Sequence, residues 1–137
     1  MAVIRSESRP TMLASEENFT GTVYQDPVIV GRAPSRMRAT NVSFSPGART
    51  AWHSHPVGQT LYVVQGVGRL QLEGEQVQEL RPGDTGIIPP NTRHWHGAAP
   101  DRLFTHLAMS EVDDQGGGTQ WFEHVNDADY TAEPDRG

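Results

Sequence analysis

The sequence predicts an all-β single domain, on three observations. Apolar and β-branched residues alternate with polar ones in short runs, as in residues 37–44 (MRATNVSF) and 103–110 (LFTHLAMS), which is the period of a half-buried strand. Gly, Pro and Asn punctuate these runs at short intervals, as turns between strands require. No stretch sustains helical periodicity or repeats, and 137 residues suit one domain with one core.

Taken in order, residues 1–18 are polar and aperiodic, an arm that covers a neighbour or stays loose. Residues 19–110 form the barrel. Its first strand is 19–30 (FTGTVYQDPVIV), where Pro27 marks an edge or a break. After the connector 32–36 comes 37–44, with Thr40, Val42 and Phe44 on one face, turned by Ser45, Pro46 and Gly47. Residues 47–66 run as the next strand, closed by a bend at Gly66 and Gly68. Residues 69–72 and 77–80 flank Glu73, Gly74 and Glu75 as a hairpin. Residues 81–84 (RPGD) turn into a buried strand at 85–89, and Pro90 and Asn91 turn again before His94. In 103–110, Phe104, His106 and Ala108 share one side. Residues 111–137 complete the chain, with a Gly-rich acidic loop at 112–119. A short amphipathic element follows at 121–130, its aromatics packing outside the barrel or on a second subunit.

Composition excludes several chemistries. There is no cysteine, hence no disulfide framework and no thiolate nucleophile or ligand. All eleven basic residues are Arg, which removes Schiff-base chemistry and a phosphate-loop lysine. A net charge of −6 argues against a nucleic-acid partner or an anionic membrane surface. No run reaches the ~18 apolar residues of a membrane span, and Arg5, Glu7 and Arg9 interrupt any signal peptide. The expectation is a soluble cytoplasmic protein with a small-molecule substrate.

Six His and the carboxylates are left for chemistry. In an extended strand His53, His55 and Gln59 would present two imidazoles and an amide on one face, and His94 and His96 are likewise two apart. If the two faces meet inside the barrel, His53, His55, Gln59 and His94 hold one metal ion. Ligand softness fits Mn, Fe, Co, Ni and Zn about equally.

The same residues resemble the cupin superfamily. Gly47, His53, His55, Gln59 and Gly66 follow its first motif, with Gln in place of the usual Glu. Gly83, Pro89 and His94 follow its second, with Asn91 in place of a Gly and Ala98 in place of an Asn. Asn is the residue besides Gly best suited to a positive φ. The resemblance implies a double-stranded β-helix, or jelly-roll, barrel. The phrases FTGTV (19–23), GARTAWHSHPVGQTL (47–61), HWHGAAP (94–100), THLAM (105–109) and EHVND (123–127) further resemble the bacterial manganese-dependent hydroxynitrile lyases of cupin type. That likeness implies Mn(II), cleavage of small aromatic cyanohydrins, and His96 and His106 beside the substrate.

Four neutral ligands would leave a dipositive ion un-neutralised, a Lewis acid suited to lyase or isomerase chemistry more than to dioxygenation. His106 is the first choice as general base, with His96 as its partner, because an imidazole takes and returns protons near neutral pH. His124 is read as an outer-surface residue, and Trp52 and Trp95 as outer packing opposite the ligands. Thr40, Val42, Phe44, Leu61, Phe104, Ala108 and Ser110 are the pocket candidates. Arg49, Arg69 and Arg93 are weighed as carboxylate binders against ordinary solvated Arg. A flat outer sheet and two arms make a homo-oligomer, dimer or tetramer, the expected assembly. The alternatives are another metal-dependent isomerase, lyase or dioxygenase on a small oxo or hydroxy acid, and a non-catalytic binding module.

Overall fold

The structure is a computed structural model and describes residues 2–137. After a 3-10 turn at Ser6–Ser8 come β1 (Met12–Leu13), β2 (Phe19–Thr20), β3 (Val23–Val30) and β4 (Met37–Phe44). It continues through β5 (Arg49–Thr50), β6 (His53–Ser54), β7 (Gln59–Gly66), β8 (Gly68–Leu72) and β9 (Gln78–Leu80). The last strands are β10 (Thr85–Ile88), β11 (His94–Ala98), β12 (Phe104–Glu111) and β13 (Gln120–Trp121), followed by one turn of helix, α1 (Asp127–Tyr130). They build two antiparallel sheets in jelly-roll fashion. One has the order β1-β3-β4-β12-β7-β10; in the other β13, β6, β11, β5 and β2 follow in line, with β8 and β9 added beside β11.

The core lies between the sheets because the alternation of β4, β7 and β12 turns one set of side chains inward. Val42, Phe44, Leu61, Val63 and Phe104 are all buried there, each apolar side chain contributing roughly 1.5–3 kcal/mol. A second, smaller cluster lies on the other face of the second sheet. It holds Trp52, Trp95, Val77, Val125 and Tyr130, so both tryptophans pack opposite the ligand face, under the carboxy-terminal segment.

Several boundaries differ from the sequence reading. Residues 47–66 are not one strand. β5 and β6 belong to one sheet and β7 to the other, and the chain crosses between them in a turn that requires Gly58 at φ +85°. A Cβ at Gly58 would lie 2.6 Å from the Ile88 carbonyl oxygen. Residues 19–30 likewise break at Gly21, with β2 and β3 in different sheets. The arm is not wholly loose, since Met12 and Leu13 pair with Gln25 and Tyr24 at the edge of β3. The strand at 85–89 is half-buried rather than buried, as an edge strand is. Asn91 takes φ 56°, the non-glycine left-handed residue among those described, as its place in the turn required. No helix of the described residues is long and apolar enough to cross a membrane.

Candidate metal centre and cavity

The second sheet supplies a row of rings. His94 pairs with His53, and His53 with Trp121 on its other side, so the three share the inner face, with His96 two residues further along β11. His53, His94 and His96 offer nitrogens within 4.8 Å of one another, and all three are buried. His55 lies in the turn after β6, its ring centroid 5.1 Å from that of His53 and 5.4 Å from that of His94. His96 lies 5.2 Å from His53 and 5.7 Å from His94 by the same measure, so His55 and His96 flank the His53–His94 pair at similar distances.

Second contacts fix the imidazoles. Nδ1 of His53 lies 2.9 Å from the Ala51 carbonyl oxygen and Nδ1 of His94 lies 2.9 Å from that of Thr92. As donors to those oxygens they leave each Nε2 with its lone pair free. Nδ1 of His55 meets the Thr119 hydroxyl at 3.2 Å. Nε2 of His55, His94 and His96 and Oε1 of Gln59 are buried without a hydrogen-bond partner. Orphan polar atoms buried together are costly unless something satisfies them, and a cation among His55 Nε2, His94 Nε2 and Gln59 Oε1, brought together from the two sheets, would do so. The donor set therefore fits a divalent metal.

The first sheet faces this row with a ladder of inward side chains. Register pairs Arg38 with Ser110 and Ser110 with Gln59 at the rim. Below come Thr40, Ala108 and Leu61, then Val42, His106 and Val63. At the floor Phe44 and Phe104 stack at 5.8 Å under His106. Nε2 of His106 lies 2.9 Å from Nδ1 of His96, which joins the two sheets through one proton.

Burial sets the protonation of these rings. It lowers His106 to about 3 and His94 to about 4. Burial, then the neighbouring imidazoles, holds His96 well below 6.5, and His53 and His55 are lowered first by burial as well. All five are neutral at neutral pH, as ligands and bases must be.

Above the rings lies a cavity of about 200 Å³. An apolar cavity of roughly 150 Å³ holds benzene, so this one takes a single substituted ring. Thr40, Val42, Ala108 and Ser110 line it with His96 and His106. Phe44, Leu61 and Phe104 do not line it; they are core residues one layer too deep or too closely packed. The aromatics of residues 121–130 are divided: Trp121 comes inside, lining the cavity and stacking on His53, whereas Tyr130 is buried in the second cluster. His124 is exposed.

The weighed arginines are engaged within the protein. Arg49 donates to the Val125 carbonyl and pairs with Asp127, and Arg69 donates to the Tyr130 carbonyl. Both are buried clamps on the carboxy-terminal segment. Arg93 pairs with Glu73 and Glu123 over Trp52. The guanidinium that lines the cavity belongs to Arg38. Sequence reasoning missed Arg38, Thr119 and Trp121. Arg38 was in reach of it, lying two residues before Thr40 on the same face; the other two follow from no local pattern.

Comparison with known proteins agrees with this fold. The Cupin_2 family, a cupin domain, matches residues 40–105. An (R)-mandelonitrile lyase from Granulicella tundricola is 45% identical over 130 residues, spanning 95% of this chain and 98% of that protein. The crystal structure of a cupin-like protein from Thermotoga maritima has a TM-score of 0.81 at 38% identity, covering 86% of this chain and 89% of that one. A cupin-2 domain from Rhodospirillum rubrum has a TM-score of 0.71 at 19% identity over 93% of this chain and 82% of that one, a likeness of fold alone. The two sheets, the inward histidines from both motifs and these likenesses together make this chain a member of the cupin superfamily.

Proposed function

We propose that the protein is a metal-dependent carbon–carbon lyase of hydroxynitrile type, splitting small aromatic cyanohydrins into an aldehyde and cyanide. The observation that carries this is its 45% identity, over 95% of the chain, to an (R)-mandelonitrile lyase. The size of the cavity and the paired His96 and His106 support it chemically.

His53, His55, Gln59 and His94 are the residues we assign to the metal, Mn(II) by likeness, although Fe, Co, Ni or Zn suit the same donors. When bound, the ion supplies Lewis acidity that makes a nearby hydroxyl a better proton donor and, with four neutral ligands, keeps its full charge. The remaining chemistry belongs to the histidine pair.

One proton is shared between His106 Nε2 and His96 Nδ1. In the neutral pair one outer nitrogen is then bare and the other carries hydrogen. With the proton on His106 Nε2, His106 Nδ1 is the base and His96 Nε2–H the acid. His106 Nδ1 takes the hydroxyl proton of the cyanohydrin as its C–C bond breaks and the carbonyl forms. His106 Nε2 passes its proton to His96 Nδ1, and His96 Nε2 gives up its own to the departing cyanide. The pair ends in its other tautomer, which is the state the reverse addition needs. Holding the metal through His96 Nε2 would require that other tautomer from the start and leave His106 no bare nitrogen, which is why we assign His55 and Gln59 instead.

The test is benzaldehyde release from mandelonitrile by Mn(II)-loaded protein, beside metal-free protein and His106→Ala. Release that needs both the ion and His106 is the expected result. A rate equal to that of metal-free protein would overturn the assignment.

A further inference from the structure

Among the side chains that line the cavity, one carries a permanent charge, and it is positive. Arg38 lines the mouth, while among the described residues no carboxylate lines any part of the cavity, in a chain whose net charge is −6. The acidic loop nearby is otherwise engaged. Asp114 pairs with Arg36, and Asp113 accepts the backbone N–H groups of Gln115 and Gly117. Among the described residues no carboxylate lies within 4.0 Å of the Arg38 guanidinium; the side chain is exposed, with Nη1 beside Gly118, the residue before Thr119 of the cavity wall. Beside it on the rim are the Ser110 hydroxyl and then Gln59.

We propose that Arg38, with Ser110, anchors a carboxylate at the mouth, so that the substrate of this site is a small molecule bearing a carboxylate at the end remote from its reacting carbon. A guanidinium at the mouth with no carboxylate against it matches a carboxylate in planar, two-point fashion. The geometry is of the right length. The rim and the His106 layer are four residues apart along β4 and β12, about 13 Å of strand. An arginine side chain and one substituted ring together span that. An aromatic cyanohydrin with a ring carboxylate opposite the reacting carbon fits both ends. The proposal rests on the cavity being the reaction site and adds the charge of what enters it.

Calorimetric binding of 4-formylbenzoate and of benzaldehyde to wild type, Arg38→Gln and Arg38→Lys tests it without turnover, so a failed lyase assay does not decide it. Wild type should bind the carboxylate at least tenfold tighter than the neutral aldehyde. Arg38→Gln should erase that preference, and Arg38→Lys should keep part of it. Equal affinities in wild type would overturn the proposal. So would a preference that survives Arg38→Gln, because the carboxylate would then be held elsewhere.

Discussion

The indole of Trp121 stacks on the imidazole of His53, with ring centroids 4.7 Å apart and planes 29° from parallel. Its other edge meets Phe19 at 5.6 Å. One ring therefore both closes the cavity wall and holds a metal-site residue in place.

Trp121→Ala should raise KM for an aromatic substrate about tenfold, the loss of one ring contact being worth roughly 1 kcal/mol or more, while Trp121→Phe keeps most of the wild-type value. Trp52 and Trp95 belong to the separate cluster. The change in indole emission on adding Mn(II) should therefore be largely absent from Trp121→Phe. Steady-state kinetics and a fluorescence titration check both.

Thr119 is the hydrogen-bond partner of His55 Nδ1, where His53 and His94 rest on backbone carbonyls. Removing the hydroxyl frees one ring and not the other two. Thr119→Ala should weaken metal binding about 10-fold or more, as loss of a ligand's outer partner commonly does, and Thr119→Ser should restore it. Competition with a chelator reads this directly.

Acid should destabilise the metal-free protein from mildly acidic pH. The buried imidazoles have native pKa values below the unfolded 6.5, down to about 4 for His94 and about 3 for His106. Between 6.5 and those values the unfolded chain binds more protons than the native one, so stability falls as pH falls. Above 6.5 both states are neutral and the histidines add no slope. Thermal melts from pH 8 to pH 5 should show a flat Tm that drops below about 6.5. A Tm constant to pH 5 would contradict it.

Gly58→Ala should be destabilising in spite of the small change. The backbone is left-handed there and the new methyl would meet the Ile88 carbonyl. The left-handed strain alone is on the order of 1–3 kcal/mol, and any relief moves Gln59, the next residue. Chemical denaturation and metal affinity should both worsen; Gly74→Ala carries the same left-handed strain at φ +84° but its added Cβ meets nothing within 4 Å, so it should lower stability by less and leave metal affinity unchanged.

Much of this was legible in advance because strand alternation is local. The two-residue period of β4 and β12 put Thr40, Val42, His106 and Ala108 on facing ladders, and the paired histidines of β11 needed only their spacing. What stayed hidden depended on partners far along the chain. The crossing at Gly58 brings Gln59 in from the opposite sheet, a convergence that one continuous strand would have produced by different means. The inward turn of Trp121 depends on β13 pairing with β6. The burial of Arg49 and Arg69 depends on carbonyls 76 and 61 residues away. A two-residue strand such as β1 carries no period to be read.

The clamp on the carboxy-terminal segment has a consequence in time. Val125 and Tyr130 are fastened by Arg49 and Arg69, and the stretch so fastened delivers Thr119 and Trp121 to rings laid down more than sixty residues earlier. A nascent chain that has emerged only as far as β12 has every histidine of the centre, yet His55 lacks its partner and His53 its cover. A metal held there would thus have its full surroundings only once the carboxy-terminal segment has docked.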